Sequence, residues 1–497
     1  MLLPCLAMGF GLDDVAERAR VLAQSDFEAP EPVPDFLREL TPDQHRAIRF
    51  DPARSLWHDD RSRFQVMMIP PGSYYSHAVR LNVVDGERQD PIPFRRDDFA
   101  YPDDELRNRI PADLGYAGFI LTDTKPASGE RAAVLMFGGA SYFRGAGRDQ
   151  EFGLSGRGVA IDTGLASGEE FPTFTEFWLE RPGPDAEAIT IYALLEGESI
   201  TGAYRFALRP GDTSAVTVTA RLFLRDAVEQ LGLAPLTSMF FYAENAAKPM
   251  GQWRPEVHDS DGLLIYDRGS GEWLWRPLVN PGKLQLSYHQ VAELGGFGLM
   301  QRDRVFQSYE DPEARYDRRP SAWVEPEGDW RAGHVVLVAL PTEAETNDNI
   351  VAFWVSEQRA EPDQVRELSY RVSFGPPSIA GQRLGRAVPT FFGHSNGGGE
   401  QANALRFVVD FEGEELAALA PDAPVVSTVV GGEGTEVLEH FVQFIEPKAM
   451  WRLSILARPA PGKILALRAF LSLEGKPVSE TWIYEYGAGN GSRRQSD

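Results

Sequence analysis

Cysteine is almost missing from this chain of 497 residues, since Cys5 is the only one. An internal disulfide is therefore excluded, and cysteine usage indicates no particular redox compartment. The eight histidines are scattered without the spacing of zinc ligands, so we expect neither a metal nor another cofactor. No apolar run approaches the roughly 20 residues that a membrane-spanning helix needs, and we expect no membrane span.

Positive charge is also scarce. The sequence has 49 lysines and arginines against 73 acidic residues, which gives a net charge of −24, and its hydrophobic fraction is 43%. This composition is typical of a globular chain rather than a disordered one. Nucleic acids and anionic membranes need a basic protein face, so we expect neither as a partner. An uncharged ligand such as a glucan is indifferent to the negative charge.

Helix signals are confined to the start of the chain. Residues 13–23 have apolar side chains at helical spacing, with acids in the first turn. Thr41, Pro42 and Gln44 form a capping-box pattern, which predicts that a second helix begins there. From Phe64 onward, short β-rich runs are separated by glycine and proline. This texture predicts an all-β protein built as an antiparallel sandwich.

The β-rich region divides at residues 375–378, whose sequence Gly-Pro-Pro-Ser is typical of a linker. We predict a large N-terminal β-sandwich over residues 14–374, a linker over residues 375–385 and a smaller immunoglobulin-like β-sandwich over residues 386–490. The immunoglobulin-like assignment depends on strand number and spacing, because the cysteine pair of antibody domains is absent. Its seven strands are predicted at residues 389–392, 405–411, 425–430, 437–445, 451–457, 464–473 and 480–486.

The first ten residues form a small apolar segment without a basic residue ahead of it. Two interpretations are about equally supported by these residues alone: the remnant of a secretory signal, and an ordinary frayed terminus. We therefore predict that residues 1–13 are a residual signal or a disordered terminus.

Three local motifs have both a functional and a plainer structural interpretation. The glycine-rich residues 138–147 lack the Gly-Lys-Ser/Thr ending of a phosphate loop, so a turn between strands is favoured. Residues 393–397 match Gly-x-Ser-x-Gly, but glycines follow where a hydrolase elbow needs a helix. Residues 259–262 have the alternating acids of a calcium loop without its remaining ligands, and a turn held by aspartate hydrogen bonds is the alternative.

Two polar clusters indicate where chemistry could occur. Residues 254–262 bring an imidazole, three carboxylates and a guanidinium into a few positions, directly after Trp253. Residues 343–349 form a second acidic cluster about ninety positions later, and several aromatic residues lie between the two. Carboxyl groups perform acid–base chemistry and aromatic rings stack on pyranose faces, so this combination suggests a sugar site.

Longer runs across the chain resemble one known family, the osmoregulated periplasmic glucan biosynthesis proteins G and D. The resemblance extends from about residue 14 to beyond residue 480, and is carried by residues 138–147, 160–164, 177–181, 234–240, 254–263, 271–278, 319–324 and 347–354. It implies a large β-sandwich with a deep cleft joined to an immunoglobulin-like sandwich. It also implies a periplasmic location and a secretion signal ahead of the region that begins near Gly11, which favours the signal-remnant interpretation.

The resemblance further implies action on a β-1,2-linked glucan. Members of the family look like anomer-inverting enzymes that cut this glucan internally, and some relatives pass the cut chain to a sugar hydroxyl, with ring closure through an α-1,6 link as one outcome. The two catalytic aspartates of the family correspond to Asp259 and Asp348. Inversion needs one carboxylic acid to protonate the leaving oxygen and one carboxylate to activate the acceptor, usually across roughly 6.5–9.5 Å. Proton transfer through substrate hydroxyls or ordered waters, which the family implies, allows a larger gap.

We assign Asp259 as the acid and Asp348 as the base, and the opposite assignment stays open. The other predicted substrate-binding residues are polar groups that would orient hydroxyls and indoles that would stack on sugar rings: His258, Asp261, Tyr316, Arg319 and Glu345, and Trp323, Trp330 and Trp354.

Two hypotheses of different class follow. The first is an inverting β-1,2-glucan hydrolase or transglycosylase, and the sequence does not choose between water and a sugar hydroxyl as the acceptor. The second is a non-catalytic glucan-binding assembly factor that partners a membrane glucosyltransferase, the glucan synthase. The expected ligand is β-1,2-glucan or its oligosaccharides in both.

Overall fold

The computed structural model describes residues 9–60, 62–124, 129–362, 364–394 and 403–487. The predicted signal remnant falls largely on residues 1–8, and Ser395 of the Gly-x-Ser-x-Gly motif also lies outside the described residues. Strands account for 49% of the structure and helices for 11%, which confirms the predicted all-β class. None of the described helices is both long and apolar enough to cross a lipid bilayer.

Short strands make up most of the regular structure, and the helices are few and short. The α-helices are α1 (Leu12–Leu22), α2 (Asp35–Arg38), α3 (Pro42–Arg46), α4 (Asp104–Arg109) and α5 (Glu414–Ala417). Single-turn 3-10 helices lie at Pro52–Arg54, Arg96–Asp98, Phe306–Ser308, Tyr316–Arg318, Pro377–Ala380 and Glu446–Lys448. The strands that begin before residue 236 are β1 (Arg49–Phe50), β2 (Phe64–Ile69), β3 (Arg80–Asp85), β4 (Arg88–Pro91), β5 (Phe99–Ala100), β6 (Gly118–Thr124), β7 (Arg131–Gly138), β8 (Tyr142–Gly145), β9 (Ser155–Arg157), β10 (Val159–Ile161), β11 (Thr173–Glu180), β12 (Ile189–Glu196), β13 (Ile200–Arg209), β14 (Ser214–Leu224) and β15 (Leu231–Ser238). The later strands are β16 (Phe240–Tyr242), β17 (Val257–His258), β18 (Gly262–Asp267), β19 (Glu272–Pro277), β20 (Gln285–Met300), β21 (Ser321–Glu327), β22 (Arg331–Ala339), β23 (Ile350–Ser356), β24 (Val365–Gly375), β25 (Arg386–His394), β26 (Leu405–Glu412), β27 (Val426–Gly431), β28 (Thr435–Ile445), β29 (Met450–Pro459), β30 (Leu465–Leu473), β31 (Lys476–Pro477) and β32 (Thr481–Tyr486).

Both predicted helix signals produce helices. In α1, Val15 and Ala19 are fully buried one turn apart, as the apolar spacing requires. At the start of α3, the Gln44 N–H donates to Thr41 Oγ1 at 3.3 Å, and the Thr41 N–H donates to Gln44 Oε1 at 2.8 Å. The capping box therefore satisfies backbone donors that the helix itself leaves unpaired.

Contacts between residues group the described chain into two compact units. Unit 1 comprises Met1–Pro235, Val324–Asp329 and Val355–Gly375, and unit 2 comprises Leu236–Trp323, Trp330–Trp354 and Pro376–Asp497. Each unit collects segments that are distant in sequence. The domain limits predicted from the linker composition at residues 375–385 stay predictions.

Unit 1 contains two sets of paired strands. Strands β11 to β14 form an antiparallel meander, β24 pairs with β14, and β3 joins β11 in parallel. A second antiparallel set runs from β2 through β6, β7 and β8 to β9. Every second residue of β14 is buried, which is typical of a strand with one face against a core.

Phenylalanine rings from both sets meet in the core of unit 1. Phe137 on β7 is fully buried, and its ring centroid lies 4.9–6.3 Å from those of Phe119, Phe143, Phe174, Phe177 and Phe206. These partners come from β6 and β8 of one set and from β11 and β13 of the other. The two sets therefore pack face to face as a β-sandwich. The glycine-rich residues 138–147 include the turn between β7 and β8, as the structural interpretation predicted.

Unit 2 is also layered. Strand β18 pairs with β19 and β20, β20 pairs with β22, and β32 runs parallel to β19. A separate four-stranded antiparallel sheet has the order β25, β26, β29, β28. Phe407 of that sheet contacts Trp482 and Tyr484 of β32, with ring centroids 6.2 and 5.6 Å apart. All seven strands predicted after the linker are present, as β25 to β30 and β32.

The aromatic core of unit 1 generates a stability prediction. Replacing Phe137 by alanine removes a fully buried ring with five ring neighbours, and we expect the free energy of unfolding to fall by about 3–5 kcal/mol. Phe171→Ala is the control, because Phe171 is 52% exposed and its ring contacts Arg157. It should cost under about 1 kcal/mol. The free energy of unfolding of both variants is measured by urea titration, with hydrogen–deuterium exchange in β6, β7 and β13 as the signal. Equal losses of stability in the two variants would contradict this account of the core.

Candidate active site

The two acidic clusters meet on one short stretch of backbone in unit 2. The Asp259 N–H donates to the Met239 carbonyl at 2.8 Å, and the Phe240 N–H donates to Asn349 Oδ1 at 2.8 Å. Asp259 and Asn349 are therefore bonded to two consecutive residues, Met239 and Phe240. Asp348 directly precedes the buried Asn349 and is itself exposed. The two acidic clusters, which lie about ninety residues apart in the sequence, are thus held close together.

One carboxylate oxygen of Asp259 has no hydrogen bond to the part of the chain that the structure describes. Its residue is 7% exposed, and Oδ1 is a buried atom with no hydrogen-bond partner among the described residues. Arg319 Nη1 lies 3.4 Å from this oxygen, close enough for electrostatic attraction but outside hydrogen-bond geometry. The Arg319 side chain is fixed by two bonds to the Ala314 carbonyl, at 3.0 and 2.9 Å. A buried oxygen without a hydrogen bond costs about 1–3 kcal/mol, and the charge of Arg319 offsets part of this cost.

Arg254 connects the first acidic cluster to the second. Its guanidinium donates to Asp311 Oδ2 at 2.9 Å and pairs with Glu345 Oε2 at 2.6 Å. The Tyr316 hydroxyl lies 3.4 Å from the same Glu345 oxygen. Burial, with the nearby charges of Asp259 and Glu345, raises the pKa of Tyr316, so its hydroxyl keeps its proton. The cluster therefore has a fixed cation and a neutral hydroxyl beside its carboxylates.

His258 lies fully buried beneath this surface, between two hydrogen-bond acceptors. Its Nδ1 is 2.9 Å from Gln301 Oε1, and its Nε2 is 3.0 Å from Glu256 Oε2. The orientation of the Gln301 amide follows from its own donors, since Nε2 bonds the carbonyls of His258 and Tyr316 at 2.9 and 3.2 Å. Only an imidazole protonated on both nitrogens satisfies two acceptors at once.

The charge environment agrees with a protonated imidazole. Burial by itself lowers the pKa of His258, but the hydrogen bond to Glu256 and the charges of Glu256, Asp261 and Glu244 outweigh it and raise the pKa to about 9. His258 is therefore a buried cation at neutral pH, surrounded by acidic groups.

Asp261 and Arg302 support the turn that carries Asp259. Asp261 Oδ2 accepts the backbone N–H groups of Arg302 and Asp303 at 2.7 and 3.0 Å. Burial raises the pKa of Asp261 to about 6, although the charges of His258 and Arg302 act in the opposite direction. Arg302 in turn pairs with the fully buried Glu480 and lies 3.5 Å from the centroid of the Trp275 ring.

Glu244 is a further acid of this cluster. Its Oε1 accepts the Thr390 N–H at 2.8 Å. Burial and then the charge of Glu256 raise the pKa of Glu244 to about 8, against the lowering effects of the Thr390 bond and of His258. The side chain is largely surrounded by protein, but part of the residue remains accessible to solvent.

Four of the predicted substrate contacts are buried in the structure. Trp323, Trp330 and Trp354 are 2%, 7% and 2% exposed. Trp323 stacks on Trp273, and Trp330 and Trp354 lie against each other with ring centroids 6.3 Å apart. Their burial leaves little ring surface for the predicted stacking on sugar, and that stacking stays a prediction. His258 is fully buried with both ring nitrogens hydrogen-bonded, so it supports the site from below.

The remaining predicted residues occupy different positions in the cluster. Arg319 and Glu345 are partly exposed, Tyr316 is nearly buried, and Asp261 serves the turn that follows Asp259. The residues that sequence reasoning missed are Glu244, Gln301, Arg302, Glu480 and the exposed indole of Trp253. Only Trp253 had a signal, as an aromatic residue next to a charged cluster, and it is 63% exposed.

Fold and site together define an all-β sandwich protein with an acidic cluster arranged around a buried histidine cation. The sequence profile of the periplasmic glucan biosynthesis protein family, MdoG, matches residues 10–486. A glucans biosynthesis protein G of Ralstonia nicotianae is 44% identical over 485 residues, which cover 96% of both chains. The protein of the same name from Pseudomonas aeruginosa is 42% identical over 96% of this chain and 93% of its own. The chain belongs to the periplasmic glucan biosynthesis protein G family.

Comparison with solved structures adds no argument. A galactose mutarotase related enzyme from Lactobacillus acidophilus is 8% identical and covers 52% of this chain and 95% of its own, with a TM-score of 0.23. This value is too low for an inference about fold or site.

The buried His258 cation generates a pH prediction. The pKa of His258 is raised from about 6.5 to about 9 on folding, so its stabilisation is complete below pH 6.5 and is lost as pH rises through 9. The expected contribution of His258 to the loss across this window is about 3 kcal/mol, and the raised pKa of Glu244 adds a further loss up to about pH 8. Tryptophan fluorescence during urea unfolding reports mainly unit 2, because only Trp57 and Trp178 of the ten tryptophans lie in unit 1.

The matched variants are Glu256→Gln and Glu187→Gln. Glu256→Gln keeps a hydrogen-bond acceptor for His258 Nε2 but removes the negative charge of the carboxylate. It should therefore lower the free energy of unfolding at pH 6 and reduce the loss of stability between pH 6.5 and 9. Glu187 is an exposed acid paired with Arg209 in unit 1, and its variant should behave like the wild type. A wild-type stability that is constant from pH 6.5 to 9 would contradict a charged His258.

Proposed function

We propose that this protein is a periplasmic enzyme that acts on a β-1,2-linked glucan by anomer-inverting cleavage, with Asp259 and Asp348 as its acid and base. The observation that carries the proposal is the docking of residues 259 and 349 on Met239 and Phe240, which holds the segments of both acids together. Membership of the glucan biosynthesis family supports the substrate class and the periplasmic location.

The two acids have different environments. Asp259 is nearly buried beside Arg319, with 10% of its side chain exposed, and its Oδ1 has no hydrogen-bond partner among the described residues. Asp348 is exposed, so water or a sugar hydroxyl can reach it from solvent. In the proposed reaction, Asp259 donates its proton to the glycosidic oxygen as the bond from that oxygen to the anomeric carbon breaks. The acceptor oxygen bonds the same carbon from the opposite face, and its proton passes to Asp348, directly or through a hydroxyl or water.

The neighbouring groups would position the chain. Arg319 and Glu345 are partly exposed polar groups beside the acids, and the neutral Tyr316 hydroxyl adds a donor. Trp253 is the exposed aromatic ring next to Arg254, and we infer that it replaces the buried indoles as the stacking surface. Water as acceptor gives shorter chains, and a sugar hydroxyl gives transfer or ring products.

The catalytic assignment is tested with linear β-1,2-glucan. Asp259→Asn and Asp348→Asn should each lower the turnover rate by about 10²–10⁴-fold, because each removes a proton-transfer group without changing its size. The reaction is measured in two ways: chromatography monitors the chain length of the products, and polarimetry monitors their anomeric configuration. Asp212→Asn is the control, since this acid is 82% exposed in unit 1 and pairs with Arg148.

Each result has a definite consequence. Inverted products that become shorter identify hydrolysis, and cyclic or lengthened products identify transglycosylation. Unchanged glucan with the wild-type protein, together with measurable glucan binding, would reject the enzyme in favour of a non-catalytic assembly factor that partners a membrane glucosyltransferase. Full activity in both aspartate variants would reject the assigned acids.

The exposed indole is tested separately. Trp253→Ala should raise KM for the glucan roughly fivefold with little change in kcat, because stacking contributes to binding of substrate and transition state alike. Tyr288→Ala is the matched control, as Tyr288 is another exposed aromatic residue of unit 2, at 54%. Equal KM values in the two variants would show that Trp253 does not contact the chain.

A further inference from the structure

Unit 1 contains an open recess that none of the acids discussed above line. Its walls come from the residues before β3, the turn between β7 and β8, and the start of β11. The turn between β7 and β8 belongs to the glycine-rich residues 138–147. This motif therefore does more than connect two paired strands, because it also forms one wall of the recess.

The lining has the chemistry of a site for an uncharged polyhydroxy ligand. Tyr74, Tyr75 and Tyr142 contribute aromatic rings with hydroxyl groups, and Ser76, His77 and Thr173 contribute further polar groups. No aspartate, glutamate, lysine or arginine is among the described residues that line the recess. Burial, followed by the charge of Arg38, lowers the pKa of His77, so the imidazole is neutral at neutral pH.

Two tight turns hold the aromatic walls. Tyr74 is 76% exposed at the tip of the first turn. This turn is closed by two hydrogen bonds of 2.9 Å, in which the Gly72 N–H donates to the Tyr75 carbonyl and the Tyr75 N–H donates to the Gly72 carbonyl. In the other turn, the Tyr142 N–H bonds the Gly139 carbonyl at 3.0 Å, and the Phe174 N–H bonds the Ala140 carbonyl at 3.1 Å. An exposed ring on a fixed turn loses little conformational entropy when it binds a ligand.

Both turns contain a non-glycine residue in the left-handed region. Ser73 has φ +52° and Ala140 has φ +40°, a conformation that costs free energy for residues with a side chain. Such residues persist where the surrounding structure imposes them, and they cluster at binding sites. Gly138 and Gly139 leave the space beside Tyr75 open, since a Cβ at Gly138 would lie 3.1 Å from Tyr75 Cε1.

We propose that this recess is a second saccharide site, which binds an uncharged glucan chain through stacking on Tyr74 and hydrogen bonds to the neighbouring hydroxyls. That the ligand is a β-1,2-glucan rests on the proposed function. That it is a neutral chain of hydroxyl-bearing units rests on the residues that line the recess. The site would hold the chain and perform no chemistry on it.

The test uses the full chain labelled with 3-fluorotyrosine and 19F NMR. Linear β-1,2-glucan oligosaccharides are titrated into the Asp259→Asn protein, so that the chain is not consumed, and the Tyr74 and Tyr288 resonances are assigned with Tyr→Phe variants. We expect the Tyr74 resonance to shift saturably while that of Tyr288 stays unchanged. Gly138→Ala should weaken this binding at least about fivefold, because its methyl group enters the recess beside Tyr75.

The outcomes separate this proposal from the catalytic one. A Tyr74 resonance that does not move at saturating glucan, or an affinity unchanged by Gly138→Ala, overturns the second site whatever the turnover measurements show. A saturable Tyr74 shift in the Asp259→Asn protein, together with a wild-type protein that leaves the glucan uncleaved, supports the second site and rejects only the enzymatic function.

Discussion

The acidic site depends on two backbone hydrogen bonds to consecutive residues. Met239 accepts from the Asp259 N–H, and Phe240 donates to the Asn349 side chain. Buried backbone groups must be paired, so neither acidic segment can shift without breaking a bond that the core requires. Asn349 also donates to the Leu340 carbonyl, which fixes its amide from both ends. Asp348 can therefore be exposed and still attached to a rigid residue.

The second constraint is charge. Glu244, Glu256 and Asp261 surround His258, and burying this many acids without compensation would be costly. The His258 cation compensates from within, while Arg302 and the fully buried Glu480 form a pair that hydrogen bonds further fix. Buried pairs of this kind add little net stability, but removal of one partner leaves an unpaired charge. These buried charges therefore add little to the stability of the fold. Their main effect is to fix the arrangement of the turn that carries Asp259.

Sequence reasoning succeeded where the signal is local. The capping box at Thr41, the strand spacing after residue 386 and the two acidic clusters can each be recognised within a short window. It did not predict the burial of Trp323 and Trp354, because a tryptophan in a strand faces either the core or the solvent, and a single sequence does not say which. It also missed Glu244, Gln301 and Glu480, whose roles arise only when segments distant in sequence meet around His258 and Arg302.

The proposed ligand, a neutral polymer, is compatible with the net charge of −24 and with the acidic cluster around His258. Phosphorylated or anionic ligands would be repelled by the cluster around His258, whereas hydroxyl groups bond to carboxylates and guanidinium groups alike. The recess of unit 1 has no charged side chain among its described lining residues, and its rings and hydroxyls are proposed to bind the same ligand. In this proposal the acids lie where a bond would be broken, and aromatic residues lie where the chain would only be held. This division follows from chemistry, since proton transfer requires titratable groups and stacking requires none.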